Sequence, residues 1–191
     1  VEPADLDRLL RRARKRDPEA LHKLVDAYSA RLFGLLYRLT GQRETAEDLL
    51  QETFLRVVRT IAAYEHGGKF EAWLFRIAAN LARDHARRAR RRGRPVALDG
   101  VSRNSESGVS ELADAAQPDP SRELLEKEAG ERLNRCLQEL TEMDREIILL
   151  RHFSELSFRE IADMLQIPLG TALARAHRAV KRLRAAFGEE A

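Results

Sequence analysis

Apolar positions recur at helical spacing along most of the chain. Leu21, Leu24, Val25, Tyr28, Leu32, Leu35 and Leu39 share one face. Asp17-Pro18 ahead of them reads as an N-cap followed by a first-turn proline, and Gly41 as the residue just past the helix end. A shorter helix is expected over about residues 4–14. After Thr45 a third stripe places Leu49, Leu50, Phe54, Val57, Val58 and Ile61 inward, with Glu47, Asp48, Gln51, Glu52, Arg56 and Arg59 opposite. The segment from Tyr64 to Lys69 breaks it. Phe70, Trp73, Leu74, Ile77, Ala78 and Leu81 then form a fourth stripe, with Trp73 read as core. Its other face carries Arg76, Asn80, Arg83, Asp84, Arg87, Arg88 and Arg91. The basic run that follows has no apolar stripe beneath it. A helix there should fray or be ordered by an anion, and the one-sign field suits phosphate.

Periodicity stops over residues 93–121, where Gly, Ser, Pro and Asp replace it and acids predominate. Such a segment cannot bury enough to offset its ordering entropy and is expected to be a flexible acidic linker. Beyond it, Leu124, Leu125, Leu133, Leu137 and Leu140 mark one helix. Ile147, Ile148, Leu150 and Phe153 mark the next, capped at Thr141. Ser157 with Glu160 forms a capping box for a short helix whose stripe is Phe158, Ile161, Ala162 and Leu165. Pro168 ends that helix and opens the last one. There Ala172, Ala176, Ala179, Val180, Leu183 and Phe187 face inward, and Thr171, Arg175, Arg178 and Arg182 outward. Two short helices, a tight turn and a cationic second helix suit docking in a DNA major groove. The expected fold is therefore all-α, with small helical domains over residues 1–92 and 122–191.

Composition narrows the function. The 191 residues are 43% hydrophobic and only 6% aromatic, and Lys+Arg 34 against Asp+Glu 31 gives a net charge of +3, so distribution matters more than sum. The single cysteine, Cys136, rules out an internal disulfide and fits a reducing compartment. There is no apolar run of membrane-spanning length and no signal-peptide pattern, so a cytoplasmic location is expected. The five histidines form no metal-ligand pair, and neither a phosphate loop nor a catalytic constellation is present. Neither an enzyme nor a cofactor or metal is expected.

Three stretches together resemble the extracytoplasmic-function (group IV) sigma factors of bacterial RNA polymerase. Ala46-Glu-Asp-Leu-Leu-Gln-Glu-Thr-Phe-Leu-Arg-Val57 is similar to the core-binding helix. The stretch from Phe70 to Asp84 is similar to the promoter-melting, minus-ten-reading helix. Leu156-Ser-Phe-Arg-Glu-Ile-Ala with Pro168-Leu-Gly-Thr171 through Ala179 is similar to the minus-thirty-five-reading domain. The resemblance spans about residues 17–184.

It implies that Asp48, Gln51, Glu52 and Arg56 meet the clamp of the largest polymerase subunit, while the second domain meets the flap region. Tyr64, His66 and Lys69 would receive a flipped minus-ten base by stacking and charge. Asn80 would read a base edge, and Arg76, Arg83 and Arg87 would hold phosphates. Arg159, Thr171, Arg175, Arg178 and Lys181 would contact the minus-thirty-five region. Polymerase core, promoter DNA and an anti-sigma factor are the implied partners. Two departures stand out. Leu173 and Ala174 occupy positions where the family usually has a basic residue and a serine that read bases, and Val58 stands where a tryptophan is common. Leu and Ala can touch a thymine methyl but cannot hydrogen-bond a base edge. Two readings from other classes therefore stay open: a sigma-like decoy that sequesters an anti-sigma factor, and a stand-alone helix-turn-helix regulator.

Overall fold

The structure, a computed structural model, describes residues 3–65, 68–91, 120–154 and 156–187, with side chains from 5 onward, from 128 in the fifth helix and up to 186 at the end. Every regular element among them is helical. Eight α-helices follow in order: α1 Pro3–Arg14, α2 Pro18–Thr40, α3 Arg43–Thr60, α4 Phe70–Arg91, α5 Pro120–Gln138, α6 Glu142–Phe153, α7 Phe158–Leu165 and α8 Leu169–Phe187, with a 3-10 turn, Ile61–Ala63, after α3. His66 and most of the expected linker (residues 93–119) lie outside the described residues.

The helix boundaries follow from local chemistry. Asp17 caps α2 by accepting from the Glu19 and Ala20 amides, and Gly41 closes it at φ 73°, a left-handed conformation that glycine adopts without a Cβ clash. Thr141 caps α6 through the Asp144 amide, and the Ser157–Glu160 capping box starts α7. Gln166 ends α7 at φ 55° and thereby aims the chain into α8. That turn lacks the glycine that usually marks such an ending. The third helix begins at Arg43, earlier than its apolar stripe requires, with Gln42 at the N-cap making no side-chain cap.

Helices α1–α4 share a core of Leu24, Tyr28, Leu32, Leu35, Leu49, Val57, Ile61, Phe70, Leu74 and Phe75. Tyr28 meets Phe70 edge-on, with ring centroids 5.6 Å apart. Helices α6–α8 continue this core through Ile147, Leu150, Ile161, Ala176 and Ala179, with Ala172 also buried. Three alanines on α8 let its backbone approach α6 and α7 closely.

The two groups of helices also pack on each other, with α2 and α4 lying against α5 and α6. Phe153 sets its ring over Gly34 of α2, where a Cβ would stand 2.7 Å from the ring edge. The Phe153 carbonyl accepts from Arg31 Nε at 3.0 Å and Nη2 at 2.7 Å. Gln138 Nε2 donates to the Arg38 carbonyl and Arg145 Nη1 to the Leu39 carbonyl. These are last-turn carbonyls of α2, which have no partner inside their own helix. The second group of helices thus caps a helix of the first.

Candidate nucleic-acid and polymerase interfaces

Helix α4 buries Phe70, Leu74, Phe75, Ala78, Ala79, Leu81 and Ala82 and leaves Arg76, Asn80 and Arg87 in solvent. A buried stripe fixes the azimuth of the opposite face, so these side chains share a solvent-facing surface. Arg83 lies at the margin of that face. Its Nη2 donates to Asn80 Oδ1, and its Nε stands 3.1 Å from Glu146 of α6. The described part of the basic run, Arg87 to Arg91, is helical. The helix continues to Arg91, because Arg87 pairs with Asp84, Arg88 donates to the Asp84 carbonyl and Arg90 pairs with Glu142. Carboxylates of the protein itself supply the counter-charge.

Tyr64 departs from its expected role. Rather than forming a loop platform it is 9% exposed, with its ring 4.8 Å from Trp73 and 5.8 Å from Phe70. Burial pushes its hydroxyl above the usual range. An aromatic pair already stacked in a core has no free face for a base, so this ring positions the start of α4. Trp73 packs partly buried against the core, as its stripe implies. Lys69 stays exposed, its Nζ 3.9 Å from Glu160 of α7.

On α3, Asp48, Gln51 and Arg56 are exposed and Glu52 is half-buried, with Arg56 reaching back to Glu52. The apolar stripe over-assigned the core here. Val58 is 37% exposed, and Leu55, which fits no inward position, is 51% exposed. Leu55 lies four residues after Gln51 and Val58 three after Leu55, which places all three on one face. An apolar centre rimmed by polar side chains is the usual anatomy of a protein interface. The signal that could have found it is the surplus of apolar residues over what one helical stripe can bury.

On α8 Ala172, Ala176 and Ala179 face inward, while Val180, expected with them, is 38% exposed and Leu173 is 45% exposed. Arg178 and Lys181 stand in solvent, as does Arg159 on α7, and Thr171 is half-buried. Arg175 turns inward instead, to 2.9 Å from the buried carboxylate of Asp144. It therefore ties α8 to α6 and is not a free phosphate contact. Among the described residues no group of His, Cys, Asp and Glu could hold a metal, and no helix is long and apolar enough to cross a membrane.

Comparison with known proteins places this geometry. The profile of Sigma-70 region 2 matches residues 24–92, and that of Sigma-70 region 4 matches residues 130–183. The ECF RNA polymerase sigma factor SigW of Bacillus subtilis is 32% identical over 178 residues, 92% of each chain. The RNA polymerase sigma-H factor of Pseudomonas aeruginosa is 31% identical, over 90% of this chain and 88% of its own. Two solved structures share the fold. CnrH in complex with the cytosolic domain of CnrY aligns at TM-score 0.66 and 21% identity, covering 96% of this chain and 97% of that one. The sigma factor RpoE with the anti-sigma factor NepR from Bartonella quintana aligns at 0.68 and 22%, covering 89% and 98%. The chain belongs to the extracytoplasmic-function sigma factors of RNA polymerase.

Proposed function

We propose that this chain acts in the cytoplasm, recruits RNA polymerase core to promoters and opens them, and is held in check by an anti-sigma protein. Residues 1–92 would bind core and the minus-ten element, residues 122–191 the minus-thirty-five element and the flap region, and residues 93–121 would link them. The observation that carries this reading is the exposed Arg76–Asn80–Arg87 face of α4, backed by a fully apolar stripe. Arginines there hold phosphates and Asn80 selects a base, since phosphate contacts position and base contacts specify. Asp48, Gln51, Leu55 and Val58 form the core-binding patch. Arg159, Thr171, Arg178 and Lys181 contact the minus-thirty-five backbone. Two solved relatives are held by CnrY and by NepR, which supports a similar partner here.

Run-off transcription with purified core and a promoter library tests the proposal. Discrete transcripts that depend on Arg76 and Asn80 are expected. Core binding without transcripts from any promoter would overturn it. That outcome would favour the decoy reading, for which exposed Leu173 beside Ala174 on the second helix of the motif is the specific observation. Changing Leu173→Arg together with Ala174→Ser should sharpen minus-thirty-five preference. If the native chain already separates single base changes there by ~1–3 kcal/mol, its readout is direct.

A further inference from the structure

Helix α1 carries more positive charge than its own surroundings neutralise. Leu10 and Ala13 are buried and fix its inward face. Arg11, Arg14 and Lys15, spaced three and four residues apart, stand in solvent, and exposed Arg16 continues the run past the helix end. Carboxylates on α1 and at the start of α2 are engaged by other cations. Asp5 pairs with Arg8, Asp17 and Glu19 both pair with Arg12, and Lys23 also takes Glu19. Arg11, Arg14, Lys15 and Arg16 make no ion pair among the described residues. The helix dipole supplies only about half a negative charge at this end, far less than the cluster carries. Like charges three and four residues apart repel, so the cluster costs the free helix stability. Arg16 adds to that cost, because φ 60° lies in the left-handed region where glycine is unstrained. The place of the cluster is also informative. Helix α1 packs on α2 and on the turn Ile61–Ala63. That turn leads into Tyr64, whose ring lies against Trp73 and Phe70 at the start of α4. The helix therefore borders the segment from which the proposed minus-ten surface begins.

We propose that Arg11, Arg14, Lys15 and Arg16 form a phosphate track that holds the promoter strand where it runs on from the minus-ten element. Arg11 and Lys15 are one turn apart, on the order of 6 Å along the axis, and long flexible side chains at that spacing can follow successive phosphates. A one-sign row on an open surface suits a repeating polyanion rather than a single small ligand. Such contacts add affinity and position the strand without reading its sequence. This rests on the minus-ten role proposed above for the α4 face.

The test uses the full chain assembled with polymerase core. Arg11→Gln, Arg14→Gln and Lys15→Gln are combined in one variant, since glutamine keeps the helix propensity of the residues it replaces. Fluorescence anisotropy follows binding to single-stranded oligonucleotides: the minus-ten element alone, and the element extended on its 5′ or its 3′ side. The native holoenzyme should bind one extended strand more tightly than the bare element, and the variant should lose that gain. On that strand the log–log salt slope should fall by about 2, at about 0.7 for each of the contacts removed. The native advantage should then shrink about twentyfold between roughly 50 and 200 mM salt. A charge-conserving variant, Arg11→Lys with Arg14→Lys and Lys15→Arg, should keep the native slope. Thermal melts of the free chain give a separate readout. The glutamine variant should melt at the native temperature or above it, because repulsion is relieved; a lower one would make the cluster structural and overturn the proposal. An unchanged salt slope on both extended strands overturns it too, as does loss of core binding with DNA binding intact, which would assign the cluster to a protein interface. Failure of the minus-ten reading looks different: Arg76→Ala would bind the bare element as the native chain does, while the slope on the extended strand still depended on α1.

Discussion

Glu146 is a carboxylate placed where a charge is poorly accommodated, and its titration should be visible in stability. The residue is 4% exposed. Arg83 of α4 is close enough for an ion pair, yet neither Arg83 Nε nor Glu146 Oε1 has a hydrogen bond of acceptable geometry. Burial is the largest influence and pushes the carboxyl from 4.5 up to about 7, Arg83 opposes it, and Glu142 on the same helix adds to it. Arg175 of α8 is engaged by Asp144. The folded-state value lies above the unfolded one, so the packed state holds the proton more tightly. The stabilisation is whole below pH 4.5, declines as pH rises, and is gone above about 7. Over that span the change is roughly 3 kcal/mol, at about 1.4 kcal/mol per pKa unit.

Glu146→Gln keeps the shape of the protonated form and cannot ionise. The variant should exceed the native protein in stability, and the gap should widen by roughly 2 kcal/mol between about pH 5.5 and about pH 8. For a chain of this size that is about 4–8 °C in Tm. Thermal melts of both proteins across the pH range supply the comparison, and subtracting one from the other removes the histidines they share. A gap that stays constant with pH, or a variant less stable at the alkaline end, would mean that Arg83 holds Glu146 ionised and that the burial argument is wrong.

Three further outcomes are expected. Asn80→Ala should change which minus-ten sequences are opened in a promoter library, and an equal loss on all promoters would reassign Asn80 to positioning. Leu55→Asp, at a half-exposed site that no core depends on, should weaken polymerase-core binding by about tenfold while leaving circular dichroism unchanged, since central interface residues carry more than about 1 kcal/mol; unaltered affinity would remove this patch from the interface. Gln166→Gly should raise stability by ~1 kcal/mol in urea titration, because φ 55° is strained for a residue with a Cβ; a loss would mean that the glutamine side chain contributes a contact of its own.

The chain announces its helices more clearly than its interfaces, and particular residues show why. Asp17, Gly41, Thr141, Ser157 and Glu160 act through backbone groups within a few positions of themselves, so their roles are local and visible in sequence. Apolar periodicity is local as well, but it records only that a side chain is apolar, not what covers it. Val58 and Val180 are therefore indistinguishable in pattern from buried neighbours, although each faces solvent, whereas Leu55 stands off the stripe as a surplus apolar residue. Tyr64 misleads in the opposite sense: its place in a break between helices points outward, and only the packing of Trp73 and Phe70 beside it explains its burial.

The seam between the two groups of helices was the least legible feature because polar groups build most of it. Arg145 is buried by donating to the Leu39 and Leu140 carbonyls, and Arg31 is held by the Phe153 carbonyl and Glu71. A long cation satisfied by main-chain oxygens leaves no periodic trace, since it reads as surface at every position. Removing such a group strands the charges and carbonyls it had satisfied, whereas trimming an exposed Leu55 strands nothing. Function in this chain is thus divided between two kinds of residue that sequence pattern mislabels in opposite directions: apolar side chains left outside, where a partner can cover them, and charged ones drawn inside, where they hold the two groups of helices together.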